Sequence, residues 1–112
     1  MEEVVLCGAS AYNKKFYLNE QKYYFNQDFA SLPEAVKQEL QIMCVLFTED
    51  VGGIFQLVFS ETGELEFRTS CDENDLLYDE IGCGLKIRQL QQTKQELLEA
   101  LQMYYKVLYV GI

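Results

Sequence analysis

One stretch constrains this chain more than any other: residues 76–110 contain no proline and are rich in Leu, Gln, Glu and Lys. These side chains lose little rotamer freedom in a helix, so the stretch predicts a long C-terminal helix over residues 75–109. A helix of that length measures about 50 Å at roughly 1.5 Å per residue. A compact domain of this size has a gyration radius of only about 13 Å, so a straight helix would outreach its own core.

The predicted helix carries an apolar stripe along one side. Its members recur with helical spacing, at Ile87, Leu90, Leu97, Leu101, Tyr104 and Leu108. Either the helix bends at Gly82–Gly84, where two glycines cost about 2 kcal/mol relative to alanine, or its distal half packs against another chain. We predict the second outcome, a homodimer whose interface contains Leu90, Leu97, Leu101, Tyr104 and Leu108. In the alternative, a monomer packs the same stripe on its own sheet.

Composition narrows the classes of partner. The chain has 112 residues, of which 49% are hydrophobic, so a single domain over residues 1–112 with a real core is expected. The net charge is −9, and residues 49–80 carry ten acids against the single base Arg68. Nucleic acids and anionic membranes attract clustered Lys and Arg, so neither is expected as a partner of this acidic chain.

The cellular compartment is predicted from the N-terminus and the cysteines. Met1-Glu2-Glu3 is acidic where a secretory signal would be basic, and no apolar run reaches membrane-spanning length. We therefore expect a cytoplasmic protein. The four cysteines lack any C-x-x-C pair, which favours free buried thiols over disulfides or a zinc site; they are Cys7, Cys44, Cys71 and Cys83.

The N-terminal part of the chain predicts three strands. Residues 4–7 form a β-type run that ends at Gly8. Residues 15–20 (KFYLNE) are echoed seven positions later by residues 22–27 (KYYFNQ), and each aromatic copy predicts a strand. The polar residues between the copies predict a hairpin.

A first helix is predicted from Ser31-Leu32-Pro33-Glu34 to about Thr48. Ser31 and Glu34 have the spacing of a capping box, and Pro33 suits the first turn. One face is apolar throughout, and the second half is apolar on every side, which predicts burial there on more than one side; the additional apolar residues are Ile42, Val45 and Leu46. Gly52-Gly53 predicts the end of this helix.

A hairpin is predicted from residues 54–59 and 64–69, with Gly63 in the left-handed conformation that a bulged turn requires. Phe55, Leu57 and Phe59 share the inward face by alternation. The polar connector after it offers Asp72, Asn74 or Asp75 as a cap for the long helix. The predicted order is β-β-β-α-β-β-α, an α+β fold with a largely antiparallel sheet and helices on one face.

Candidate catalytic and metal sites are weak in this sequence. The chain contains no histidine, which removes the commonest general base, so we predict neither an enzyme nor a cofactor. Cys83 lies between two glycines, but packing accounts for it better than reactivity. The acids Glu49, Asp50, Asp72, Asp75 and Asp79 bring together oxygen ligands, yet they lack the spacing of a calcium loop. Helix capping and solvation account for them, and no metal site is predicted.

Several segments together resemble a known pattern. Leu32-Pro33-Glu34, residues 37–53 (KQELQIMCVLFTEDVGG) and residues 75–82 (DLLYDEIG) resemble a family of small uncharacterised proteins from anaerobic Gram-positive bacteria. The resemblance covers nearly the whole chain and implies a domain of unknown function without active-site residues. From the residues themselves we predict a non-enzymatic, homodimeric interaction or regulatory module. The alternative is a small-molecule-binding domain with a pocket between the sheet and the first helix, lined by Phe47 and Phe55.

Overall fold

Four antiparallel strands form the sheet on which the helices pack. The computed structural model describes residues 3–10, 22–70 and 79–111. The strands are β1 (Val4–Ser10), β2 (Lys22–Phe25), β3 (Ile54–Phe59) and β4 (Leu65–Ser70), in the spatial order β2-β1-β3-β4. Every neighbouring pair is antiparallel, which confirms the predicted α+β class. The predicted strand over residues 15–20 and its hairpin lie outside the described residues.

Strand β1 runs on to Ser10 instead of ending at Gly8 as predicted. A Cβ atom on Gly8 would lie 2.7 Å from the carbonyl oxygen of Phe55 on β3. Glycine is needed here because the two backbones approach closely, not because the strand stops. The ladder between β1 and β3 also contains an irregularity between Val5 and Cys7, where one extra residue of β1 is accommodated.

The hairpin formed by β3 and β4 has the predicted turn. Gly63 adopts φ = 87°, and its N–H donates to the carbonyl of Ser60 at 2.9 Å. The three inward residues of β3 are fully buried; they are Phe55, Leu57 and Phe59. On β4, Phe67 packs at the same face, with its ring centroid 5.6 Å from that of Phe55. The predicted inward face of this hairpin is confirmed, whereas Val58, which alternation places on the opposite face, is buried as well.

The first helix, α1 (Glu34–Val51), begins without the predicted capping box. Pro33 occupies the cap position, where its carbonyl accepts from the N–H groups of Val36 and Lys37, and no side chain caps the helix. The Ser31 hydroxyl lies instead 3.1 Å from the hydroxyl of Tyr104 on the C-terminal helix. A tertiary hydrogen-bond partner thus replaces the local one that the sequence motif predicted.

Helix α1 ends where the glycine pair predicts, although three residues beyond Thr48. Gly52 (φ = 83°) and Gly53 (φ = 71°) both have positive φ angles and reverse the chain into β3. The core face of α1 is buried on the sheet as predicted; its buried residues are Leu40, Met43, Cys44, Phe47, Thr48 and Val51. Ile42 and Leu46 are exposed, so the predicted burial of the second half on further sides is wrong for them.

The C-terminal helix is interrupted, whereas the sequence predicts a continuous one, and the interruption is not at the glycines of the alternative. It comprises α2 (Glu80–Thr93), α3 (Gln95–Tyr105) and a wider π-helical turn (Lys106–Val110). The interruption is at Lys94 (φ = −111°, ψ = 18°) rather than at Gly82–Gly84. Helix α2 contacts α1, whereas α3 contacts β4, so the two halves have different partners in the same chain.

The N-terminal cap of α2 explains why residue 82 is a glycine. Asp79 has an extended backbone and caps the helix, because its carboxylate accepts from the Gly82 N–H at 2.8 Å. A side chain on Gly82 would collide with that carboxylate. The helix therefore begins at Glu80 rather than near residue 75, and the caps predicted at residues 72, 74 and 75 lie outside the described residues.

An aromatic cluster packs the end of the C-terminal helix against the sheet. The Tyr105 ring stacks on Phe59, with centroids 4.1 Å apart and planes at 6°. Phe29 and Tyr109 extend the cluster, with centroids 5.7 Å from Phe59 and 5.1 Å from Tyr105 respectively. Tyr105 is only 1% exposed, so its ring is part of the core and is closed to a partner chain.

Two glycine-to-alanine substitutions should have opposite effects on stability. We expect Gly63→Ala to lower the free energy of unfolding by about 1–2 kcal/mol, because a left-handed backbone disfavours Cβ. The added methyl would also lie 2.8 Å from Cγ of Lys106. Gly84 lies inside α2 with open space around it, so Gly84→Ala should raise stability by about 0.5–1 kcal/mol. Urea unfolding of both variants measures the difference, and two effects of the same sign would contradict the account.

A second pair of substitutions tests the aromatic cluster. We expect Tyr105→Ala to lower the free energy of unfolding by about 3–5 kcal/mol, because it opens a cavity against Phe59. The matched control is Met103→Ala, two residues away on the same helix and 63% exposed, which should change stability by less than about 0.5 kcal/mol. Urea unfolding measures both. Similar losses for the two variants would mean that Tyr105 is not the anchor of this helix.

Candidate interaction surface

The stripe predicted for self-association lies mostly inside its own chain. Leu90 is 9% exposed and Leu101 is 3% exposed, and both belong to the core. Leu97 and Tyr104 are half-buried against that core, whereas Leu108 is 58% exposed. The interruption at Lys94 therefore lets one chain cover most of the stripe. Whether two chains pair stays a prediction, but this stripe would not form the main contact.

A different set of apolar side chains is exposed on α1 and α2. On α1, Ile42 is 59% exposed and Leu46 is 48% exposed; on α2, Ile81 is 80% exposed and Leu85 is 61% exposed. Within each helix the two residues are four positions apart, so they form one ridge. The i, i+4 spacing of both pairs is visible in the sequence. The Leu90–Leu108 stripe is longer, so it dominates the helical apolar pattern and the two shorter pairs do not stand out.

A groove of about 500 Å³ lies between α1 and α2. Ile42 and Leu46 form its wall on α1, and Met43 and Leu90, which are nearly buried, lie among its lining residues. On α2 the wall includes Gln89, one turn after Leu85, so the exposed ridge of α2 runs beside the groove. The exposed surface of the groove is mainly apolar, although six of its eleven lining residues are polar or charged and neither Ile81 nor Leu85 is one of them. Such a groove with exposed apolar residues beside it is a geometry with which a helix binds another helix.

The charged groups at the edge of the groove are already paired within the chain. Lys86 Nζ lies 2.5 Å from the carboxylate of Asp50, and Lys94 Nζ lies 2.8 Å from that of Glu39. Each pair joins the C-terminal helix to α1. A partner that approaches the groove therefore meets ion pairs rather than isolated charges, which reduces the cost of desolvating the edge.

Three of the five acidic candidates for a metal site lie in the part of the chain that the structure describes. Glu49 and Asp50 are exposed at the end of α1, Asp50 pairs with Lys86, and Asp79 caps α2. Asp72 and Asp75 lie outside the described residues. Among the residues that the structure describes, no three His, Cys, Asp or Glu side chains are grouped so that they could hold a metal ion.

The other candidate residues, Cys83 for reactivity and Phe47 and Phe55 for a pocket, are buried side chains. Cys83 is 4% exposed within α2, in agreement with the packing interpretation. The Phe47 and Phe55 rings, expected to line a pocket, stack on each other with centroids 4.2 Å apart and are buried. The rings themselves fill the space between the sheet and α1 at this point, so neither ring lines an open pocket.

The sheet has a second concave region, on the face away from α1. It is an open groove of about 560 Å³ that runs over Gly8, where the strand has no side chain. Tyr24, which is 55% exposed, and Gln56 flank that position on the two neighbouring strands, as their pairing with Gly8 shows. Strand alternation in the sequence does not predict this groove, because the sequence pattern predicts that β1 ends at Gly8.

Among the described residues, no helix has both the length and the apolar character needed to cross a membrane.

Comparison with known proteins places the chain in a family but assigns no activity. The search of curated proteins and the search of solved structures gave no match. The model of a family of unknown function, DUF6145, matches residues 19–112, which confirms the resemblance to a family without assigned function. The chain therefore belongs to the DUF6145 family.

Proposed function

We propose that the protein is a non-enzymatic interaction module that forms a homodimer through the groove between α1 and α2. The observation that carries the proposal is the pair of exposed ridges, Ile42 with Leu46 and Ile81 with Leu85, beside an apolar groove. The C-terminal helix thus contributes to the dimer through α2 rather than through the Leu90–Leu108 stripe. A cytoplasmic location and an origin in an anaerobic Gram-positive bacterium are parts of the same proposal.

The surface can bind a second copy of itself because it offers both a ridge and a groove. In a twofold dimer each copy presents the same patch, so a protruding part must fit a recessed part of the identical surface. Here the α2 ridge of one copy would enter the groove of the other copy. Ridges with a spacing of four residues pack into such grooves with helix axes crossed at about −50°.

The ion pairs at the groove lower the repulsion between two copies there. Two copies that each carry a net charge of −9 repel one another, so a contact is helped where acids are compensated. Asp50 and Glu39 are paired with Lys86 and Lys94. These two acids therefore add little to the repulsion.

The size of the patch indicates a weak dimer. Eight aliphatic side chains from two copies, each about half exposed beforehand, would contribute roughly 1–2 kcal/mol each when covered. Association costs about 4–15 kcal/mol in lost translational and rotational freedom. The two ranges largely cancel, so the dimer is weak and reversible, and its population rises with protein concentration.

A matched pair of charge insertions tests the location of the contact. We expect Leu85→Glu to shift the dimer to a monomer, because it places a carboxylate in the apolar contact of both copies. Val107→Glu is the control, since Val107 is 52% exposed on the C-terminal turn, away from the groove. Its mass should remain that of the wild type. Light scattering coupled to size exclusion measures the masses, and circular dichroism verifies that both variants are folded.

Two results would contradict the proposal. A wild-type protein with the mass of one chain at every accessible concentration would rule out the dimer. If Leu85→Glu leaves the dimer intact and Val107→Glu disrupts it, the contact lies at the end of the C-terminal helix instead. Met103, Val107 and Leu108 are also exposed there.

The groove over Gly8 supports a second candidate function, the binding of a small planar molecule. An aromatic ring at Tyr24, an apolar side chain at Ile54 and polar groups on Ser10 and Gln56 line it together. This is the combination that small-molecule sites use, a mainly apolar surface with a few polar groups for orientation. The site lies on the outer face of the sheet, opposite to the predicted pocket.

Thermal shift against a library of aromatic metabolites tests this candidate. A ligand should raise the melting temperature of the wild type, and above the dissociation constant the increase should follow the logarithm of the ligand concentration. The same ligand should lose that effect with Tyr24→Ala, while Tyr104→Ala on the C-terminal helix should retain it. If no compound stabilises the wild type, or if Tyr24→Ala responds equally, the groove does not bind this class of ligand.

A further inference from the structure

Two thiols meet in the core between the sheet and the first helix. Cys7 lies on β1 and Cys44 lies near the middle of α1, and their sulfur atoms are 3.7 Å apart. Both residues are 0% exposed. They are separated by 37 residues along the chain, so the contact joins the N-terminal strand to the helix that covers it.

The geometry points to a latent disulfide, and we propose that Cys7 and Cys44 form a reversible bond under peroxide oxidation. A disulfide has a sulfur–sulfur distance of about 2.05 Å. The two sulfur atoms therefore have to approach by less than about 2 Å. The bond therefore requires a local rearrangement of the two side chains and of the strand and helix that carry them.

The reaction is balanced with a peroxide as the oxidant. The Cys7 thiolate attacks one peroxide oxygen, the O–O bond breaks, and the departing hydroxide takes up the proton that Cys7 had lost, which forms water. Cys7 is then a sulfenic acid. The sulfur of Cys44 attacks the sulfur of Cys7, the S–O bond breaks, and the hydroxyl leaves with the Cys44 proton as a second water. Two thiols lose two electrons, and the peroxide gains them.

The buried environment makes the reaction slow. The hydrogen bond with Cys7, together with burial, raises the pKa of the Cys44 thiol far above its usual range. The same bond and the same two waters result whichever of the two sulfur atoms reacts with peroxide first. Because only the thiolate is nucleophilic, a buried pair reacts more slowly than an exposed one. The bond would therefore form under sustained oxidation rather than during a brief exposure to peroxide.

A bond here would hold α1 on the sheet. It closes a loop of 37 residues, which restricts the unfolded chain and so stabilises the folded one. The Phe47–Phe55 stack contributes to the same junction between α1 and the sheet, so the bond would reinforce a contact that already exists. Oxidation is therefore expected to stabilise the fold rather than disrupt it.

The test uses the full chain with Cys71→Ser and Cys83→Ser, which leaves Cys7 and Cys44 as the only thiols. After peroxide treatment we expect an intact mass lower by two hydrogen atoms, and a peptide map that links the two segments. Dithiothreitol should restore the original mass. The melting temperature of the oxidised form should be higher by at least about 5 °C.

Two further measurements keep the outcome decisive. In the same background Cys44→Ser removes the partner, so peroxide should add oxygen to Cys7 instead of removing hydrogen. The urea-unfolded chain serves as a positive control for the oxidant. The inference is overturned if the folded protein gains oxygen atoms at either thiol, or if its mass stays constant under conditions that oxidise the unfolded chain.

Discussion

The stacking of Tyr105 on Phe59 determines how a helix longer than the sheet is accommodated. The rings are nearly parallel, with centroids 4.1 Å apart, and the contact fixes the end of the helix over the β3–β4 hairpin. At the other end, Asp79 starts α2 beside the end of α1, and its N–H donates to the carbonyl of Val51. With both ends fixed, the helix satisfies both contacts by an interruption at Lys94, which separates the part on α1 from the part on β4.

Three lysines then hold the divided helix in register. Lys86 pairs with Asp50, Lys94 with Glu39, and Lys106 with Glu64. Each pair is partly exposed and contributes at most about 1 kcal/mol, so they do not account for the stability of the fold. Their effect is on specificity, because a shift of the helix by one residue would misalign all three at once. They also leave the acids at the groove between α1 and α2 compensated, which gives the proposed interaction surface its low charge.

The sequence allowed the local features to be predicted, and the long-range ones much less. The β3–β4 hairpin, the left-handed Gly63 and the glycine end of α1 follow from backbone conformations that few residues adopt, so they could be read directly. The helix interruption could not, because Lys94 has ordinary helix propensity and only its tertiary contacts explain its conformation. For the same reason Leu90 and Leu101 were assigned to an interface although they are core residues. Ile42 and Leu46 were assigned to the core although they line the groove, because helical periodicity reports which face is apolar and not what covers it.

The position of Tyr105 in the chain has a consequence for the order of folding. Phe29 and Phe59 are synthesised long before the ring that covers them, and until then both present their faces to water. The hairpin that carries Phe59 can form from local residues alone, but its aromatic face is completed only by residues 101–109. A nascent chain halted before Tyr105 would therefore carry an exposed aromatic surface, and chaperones that recognise such surfaces would bind the arrested chain in preference to the finished one.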